Sequence, residues 1–304
     1  MIPDIHGSHS WEEAKKVKAD FYIALGDYFD AWTNRWPDQG ENFSNFISWV
    51  REDPEHRIPL YGNHDHAYLS LMGSNCSGHQ YIHANEIKAL LLSAKDVLKL
   101  AFECDGWVFS HAGFSKTSVK EMKKLLGDDN KKSSFIDTLN KAFSSRLDLS
   151  TDKDWKEFDS LLDWNGIFSG SGDEVSQFCL WIRPRSLLED AFYDKQIVGH
   201  TEYCFWMDPI VLQKDNKKVM LTDSMDHHIH IIDTNEEFQS ISELDLKKKI
   251  KKLDKALCDL KSFFGVADIN GISIDKKAMV LEKFPQNGEF LWNNFFKKET
   301  IMKT

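Results

Sequence analysis

What this 304-residue chain lacks narrows its class first. It has five Cys, at Cys76, Cys104, Cys179, Cys204 and Cys258, with no CxxC pair and no regular spacing. That pattern excludes a disulfide framework and a zinc knuckle, and it predicts plain thiols in a reducing compartment. There is no basic excess: 38 Lys and Arg face 48 Asp and Glu, for a net charge of -10. General affinity for a nucleic-acid backbone is therefore not expected, although a local basic patch is compatible with these totals. No run of about 18 apolar residues occurs, so no membrane span and no membrane partner are expected. The run MIPDIHG does not read as a secretory leader, and the cytoplasm is the expected compartment. There is no repeat and no low-complexity linker. What is present is ordinary globular composition, 41% hydrophobic and 28% charged, with ten Trp and 21 Phe. That is enough for one large catalytic domain and a small appendage. Nothing in it fixes an oligomeric state.

Several short apolar runs each end in a small polar cluster. Phe21 to Leu25 leads into Gly26-Asp27, and Arg57 to Tyr61 into Gly62-Asn63-His64-Asp65. Trp107 to Ser110 leads into His111-Ala112-Gly113, and Gln196 to Val198 into Gly199-His200-Thr201. Such runs predict buried strands, and open α/β sheets place their chemistry at the carboxyl ends of strands. Helices are predicted over Trp11 to Ala19, with Ser10 as N-cap, and over Glu41 to Val50. Val97 to Glu103 and Trp107 to Ser110 flank Cys104-Asp105-Gly106, a hairpin signal. Val219 to Thr222 and Ile229 to Asp233 are expected as late strands. Residues 115–163, polar and Lys-rich, are expected to form a helical insertion beside the site. From Ile241 onward, Leu246, Ile250, Leu253, Leu257 and Leu260 recur at helical spacing, with Ser242 and Asp245 as a capping box. The Lys residues between 247 and 252 read as the solvated face of that helix.

Five short motifs occur in order: DIHG at 4–7, GDYFD at 26–30, GNHD at 62–65, SHAG at 110–113 and GHT at 199–201. Each alone is weak, because a single His at a strand end is more often structural than a ligand. Together, each after a predicted strand, they supply the oxygen and imidazole donors that divalent cations need. None of the five Cys falls in them. Two cations about 3.5–4 Å apart need a shared anionic bridge, lower the pKa of a water between them and neutralise phosphoryl oxygens. A protonated His nearby can then give a proton to the leaving oxygen.

The motif order resembles the calcineurin-like metallophosphoesterase superfamily, over residues 1–235, and most of all its phosphoprotein phosphatase (serine/threonine phosphatase-like) branch. The resemblance implies a two-sheet α/β/β/α sandwich with, in this chain, a helical addition over 236–304 packed on it. It implies that Asp4 and His6 hold a first metal, that Asp27 bridges, and that Asn63, His111 and His200 hold a second. His64 would be the general acid, and Asp30 would orient it. Mn is the expected cation, with Fe or Zn as alternatives. GHT lacks the second His of the GHxH pattern of many phosphodiesterase branches, which favours the phosphatase branch.

The departures matter too. That branch usually reads GDxxDRG, where the Arg grips phosphate, but Ala31 and Trp32 follow Asp30 here. Arg35 lies a few residues on. A second family Arg falls in the interval that holds Arg183 and Arg185, and Arg183 is the expected phosphate ligand together with Asn63. GNHD replaces GNHE. His227, His228 and His230 read as alternation along a strand, and His9, His66, His79 and His83 lie outside the motifs. Only Met1, Ile2 and Pro3 precede Asp4, and Pro3 cannot donate to a ladder. The expected explanation is a start inside a longer chain, and the alternative is a loosened site at Asp4 and His6. The expected reaction is metal-dependent hydrolysis of a phosphate monoester, on a phosphoprotein or a small molecule, through a hydroxide activated by two metals. The rivals are a dinucleoside polyphosphate or phosphoanhydride hydrolase, a nucleic-acid diesterase in third place, and a non-catalytic binding module that retains the fold.

Overall fold

The computed structural model of the chain describes residues 1–31, 35–72, 75–127, 132–148, 155–163, 173–202, 209–223, 229–235 and 240–241. One compact unit comprises Met1–Cys204 and Asp208–Ser240. The second unit comprises Phe205–Met207 and Ile241–Thr304. The helix expected from Leu246 to Leu260 lies outside the described residues, and of the appendage over 236–304 only residues 240–241 are described.

Two sheets form the first unit. Strands β1 (Tyr22–Ala24) and β2 (Arg57–Pro59) pair in parallel, with Ile23 opposite Ile58. In the second sheet β3 (Ala101–Cys104), β4 (Trp107–Ser110), β5 (Lys195–Val198), β7 (Lys217–Leu221) and β6 (Ile210–Lys214) are successive neighbours. Pairs β4–β5 and β5–β7 are parallel, and β3–β4 and β6–β7 are antiparallel. Cys104 pairs with Trp107 across the two-residue loop Asp105-Gly106, whose φ angles are 51° and 73°. That is the turn chemistry an Asp-Gly pair favours, because both central residues need positive φ.

Strand alternation builds the core. On β1 and its continuation, Ile23 and Leu25 join Ile58, Leu60, Trp107, Phe109, Ile197, Val211 and Met220 in one cluster, drawn from both sheets. Ala24 and Val108, the alternate residues, face the larger cluster that the helices cover. Side chains of period two thus divide each strand between two cores. Helix α1 (Asp38–Arg51) packs on β2. Helix α2 (Asn63–Leu69) packs on α3 (Ala84–Ser93), and α7 (Pro184–Asp190) packs on β6 and β7. The span 115–163 contains α4 (Lys116–Leu126), α5 (Lys132–Leu147) and α6 (Lys156–Leu162). Ser115 caps α4, accepting from Ser118 N–H, and Gly127 ends it at φ 68°.

Two expectations need correction. Ser10 to Lys16 is a 3₁₀ turn with no side-chain cap, and its flat side buries Trp11 and Ala14 only. Seven residues with two buried positions do not sustain the α-helical stripe expected to Ala19. Ile229 to Asp233 is not a strand. Its backbone exchanges a pair of bonds between His230 and Met1, each 2.8 Å, while Ile231 is 75% exposed. One bonded residue does not make a ladder. The short first strand is anchored differently from a normal one. Ile2 forms a single parallel bridge to Ala24, and the pairing then runs on through the motif itself, from Ile5, His6 and Gly7 N–H to Gly26, Asp27 and Tyr28 carbonyls.

Candidate metal centre

The five motifs meet at the carboxyl ends of the strands. Asp4, Asp27, Asn63 and His111 are all at most 3% exposed. Donor atoms of His6, Asp27 and His64 lie within 4.8 Å of one another, and so do those of Asp4, Asp27 and His111. Asp27 belongs to both sets. His111 Nε2 is 3.5 Å from Asp27 Oδ2, and His6 Nε2 is 3.7 Å from the same oxygen. Asn63 Oδ1 lies 2.7 Å from His111 Nε2 and 3.1 Å from His200 Nδ1. All six residues that the sequence marks as ligands therefore converge.

The backbone pays a conformational cost for this convergence. His6, Asp27, Asp30 and His200 have φ of 42°, 53°, 66° and 60°. Left-handed backbone at non-glycine residues is sparsely populated and clusters at functional sites. Close approach also depends on missing side chains. A Cβ on Gly62 would stand 2.1 Å from Asp27 Oδ1, and one on Gly199 would stand 2.2 Å from Asp4 Oδ1.

Three imidazoles are anchored from behind. His6 Nδ1 donates to Phe29 O at 2.9 Å, His111 Nδ1 to Leu25 O at 2.9 Å, and His200 Nε2 to Trp181 O at 3.2 Å. A carbonyl oxygen only accepts, so each bond fixes a proton on the outer nitrogen. Burial holds His111 below the usual histidine value and His200 well below it, with His111 adding to the effect on His200. Burial thus favours the neutral form of both rings. Their inner nitrogens then present lone pairs to Asn63 Oδ1, which is itself an acceptor. Acceptors facing acceptors in a dry site are unfavourable unless a cation sits among them.

The carboxylates make the same demand. Burial drives the Asp4 carboxyl well above its usual range, and the charges of Asp223 and Asp27 drive it further. Burial also opposes ionisation of Asp27, yet His111, His64 and His6 together hold its carboxyl below the usual value. Asp65, fully buried, is pushed up by burial and by Asp27. This donor set, carboxylate oxygens and oriented neutral imidazoles without thiolate, fits divalent cations such as Mn, Fe or Zn.

Next to Asp27 and His6 stands the proposed acid. His64 Nδ1 donates to Asp30 Oδ2 at 2.8 Å. Burial lowers the His64 pKa, but Asp27 and the bond and charge of Asp30 reverse the sign and leave it raised. Its N–H binds Asp27 Oδ1 at 2.9 Å. Arg183 Nη1 donates to His200 O at 3.3 Å and Thr201 Oγ1 at 3.1 Å, which places its guanidinium beside the centre. Arg185 is exposed and lies 3.9 Å from Glu189, and Arg35 is exposed.

Other residues escaped the motifs or were read differently. Asp65 accepts the N–H groups of Asp27, Tyr28 and Gly62, each at 2.9 Å, and so ties the GDYFD and GNHD loops together. The change from Glu to Asp had marked the position but not this task. Tyr68 donates to Asp30 Oδ1, and its spacing four residues after His64 was the available signal. Asp223, 7% exposed, acts on Asp4 from the end of β7. Cys76 Sγ lies 3.4 Å from both Asn63 O and Asn63 Nδ2. His66 turns away from the site, 3.3 Å from Asp163. His230 Nε2 donates to Thr222 O, and His227 and His228 lie outside the described residues.

A family model of calcineurin-like phosphoesterases matches residues 2–203. No curated protein matches. Among solved structures, a cold-active protein tyrosine phosphatase is 15% identical, covers 74% of this chain and 68% of its own, and has a TM-score of 0.45. Another, from the psychrophile Shewanella sp., is 15% identical over 73% and 69%, with a TM-score of 0.43. The phosphatase domain of the Legionella effector WipB is 14% identical over 64% and 80%, with a TM-score of 0.38. The family model spans well over half of the chain, and the chain belongs to the calcineurin-like phosphoesterase family.

Proposed function

We propose that this protein is a metal-dependent phosphatase that hydrolyses phosphate monoesters, on a phosphoprotein or a small phosphorylated molecule. The observation that carries the proposal is a lone-pair-lined centre with the hydrogen-bonded His64–Asp30 pair beside it, His64 lying within 4.8 Å of His6 and Asp27. Asp4, His6, Asp27, Asn63, His111 and His200 would hold two divalent cations, Mn first among them. When bound, the cations supply Lewis acidity and a nucleophile at neutral pH. Everything else falls to side chains. Asp27, shared by both donor sets, would supply negative charge to both cations. Asp30 accepts a hydrogen bond from His64 Nδ1–H, which fixes the ring's orientation and leaves Nε2–H for the leaving oxygen. Arg183 offers a planar fork to phosphate oxygens, and Asn63 lies near enough to share that task. We place the protein in the cytoplasm, a reading supported by free Cys76, Cys104 and Cys179.

The test is hydrolysis of a simple alkyl phosphate monoester and the matching diester with added Mn²⁺, by the intact chain and by His64→Ala. We expect monoester turnover that needs metal and falls about 10²-fold or more in the variant, the usual contribution of a positioned acid. Preference for the diester would overturn the substrate class. Failure on both with metal bound would overturn the monoesterase reading.

A further inference from the structure

Asp30 is held by more than His64. Its carboxylate is 1% exposed, and its two oxygens have different partners. Oδ2 accepts from His64 Nδ1, and Oδ1 accepts from the Tyr68 hydroxyl. His64 and Tyr68 stand one turn apart on α2, so a single helix grips both ends of one carboxylate. This matters because rotation about the last bond of Asp is soft. One bonded oxygen leaves the carboxylate free to swing, whereas two fix its plane and with it the orientation of the His64 ring.

Tyr68 is itself placed. Gln80 N–H donates to its oxygen at 2.9 Å, which directs the O–H toward Asp30. The His79 ring stacks on it at 4.2 Å and 19°. Gly78 lets this segment lie against Asp30, since a Cβ there would be 3.0 Å from Asp30 O. Gln80 Nε2 reaches Gln39 Oε1 at 2.9 Å, and that oxygen also accepts from Ala31 N–H at 3.3 Å, which closes a ring of bonds around the Asp30 loop. Burial and the Asp30 bond keep the phenol protonated far into alkaline pH, so it remains a donor.

We propose that Tyr68 is a positioning residue for the proton transfer, one that locks the Asp30 carboxylate and thereby aims His64 at the leaving oxygen. This rests on the reading of His64 as the acid. The test uses the full chain loaded with Mn²⁺, as wild type, Tyr68→Phe, Asp30→Asn and His64→Ala, on two monoesters. 4-Nitrophenyl phosphate has a leaving group that needs no proton, and a simple alkyl phosphate has one that does. For Tyr68→Phe we expect kcat to fall about tenfold or more on the alkyl ester relative to the aryl ester, with Mn content retained. The second readout needs no metal. In the metal-free protein, the His64 Nδ1–H resonance should shift or broaden in Tyr68→Phe.

If His64→Ala selectively loses alkyl turnover while Tyr68→Phe matches wild type in rates and resonance, the role of Tyr68 is overturned and the acid stands. If His64→Ala shows no selectivity between the esters, both fall. Equal losses on both esters, or loss of Mn, in Tyr68→Phe would overturn the proposal in favour of a merely structural role. Should Tyr68→Phe fail to fold, the Cζ resonance of Tyr68 in folded wild type and Asp30→Asn decides. Movement supports the bond, and an unchanged shift overturns it.

Discussion

Gly62 shows how little room surrounds the reacting groups. A methyl there would meet Asp27 Oδ1 at 2.1 Å and Asp27 N at 2.6 Å, the first held by the His64 N–H and the second part of the backbone. Gly62→Ala should therefore displace Asp27 and lower bound metal severalfold while leaving a folded chain. Metal per chain, measured by atomic emission, checks this, and full retention would show that the loop yields. A second residue-scale expectation concerns pH. The folded pKa of His64 is raised above its ordinary value of about 6.5. Its pairing with Asp30 thus stabilises the metal-free fold fully below that value, and the benefit disappears as pH rises through the folded pKa. Wild type should exceed Asp30→Asn in melting temperature by more at pH 6 than at pH 9. A difference independent of pH would remove the ion pair as its source. These pairings were only partly visible beforehand. GDYFD and GNHD mark Asp30 and His64 by pattern, but Asp65 as an acceptor of three backbone N–H groups depends on how two loops cross. One residue type at one position does not disclose that.

Helix α2 carries Asn63, His64 and Tyr68, and both of its ends are secured. Asp65 binds Gly62 at the start. At the end, Arg146 Nη2 donates to Leu69 O at 2.7 Å, while Arg146 and Asp159 form a bidentate pair with two bonds of 2.7 Å. Asp159 also accepts Leu71 N–H at 3.0 Å, and Ser70 Oγ donates to Asp163 at 2.7 Å. The helices of residues 115–163 thus reach α2 through buried charge: Arg146 is 4% exposed and Asp159 is 0%. Arg146→Ala would leave Asp159 buried without its partner, at a cost of about 3–5 kcal/mol. Arg146→Met with Asp159→Leu should recover part of that stability, because no lone charge remains. Chemical denaturation of both variants checks the order, and the reverse order would mean that packing, not charge, dominates. Elements made of local signals were readable. The Asp-Gly hairpin of β3 and β4 and the strands that end in motifs follow from turn chemistry and apolar runs. The 3₁₀ turn at Ser10–Lys16 and the unladdered Ile229 to Asp233 were misread, because each is decided by what it packs against. The clamp on α2 joins residues 77 to 93 positions apart, and periodicity carries no such distance.

For the whole molecule, the repulsions at the centre make the fold responsive to cations. Mn²⁺ at a hundredfold excess over its dissociation constant should add about 2.7 kcal/mol. For a domain of this size that is roughly a 5–10 °C rise in melting temperature. Asp27→Asn, which removes the shared carboxylate, should abolish most of the rise, and an unaltered shift would place binding elsewhere. Among the described residues no helix is long and apolar enough to cross a membrane. The six convergent donors were legible because each ends a strand or opens a helix, and parallel strands bring such ends to one edge. The bonds that hold them were not, because Asp65, Asp223 and Tyr68 act across loops that are distant in sequence. The left-handed backbone at His6, Asp27, Asp30 and His200 has a last consequence. Glycine would relax each of these positions by roughly 1 kcal/mol. A library of variants sieved only for heat tolerance would thus be drawn to replace the very residues proposed to hold metal or orient the acid, so on that proposal endurance and turnover pull in opposite directions at these four places.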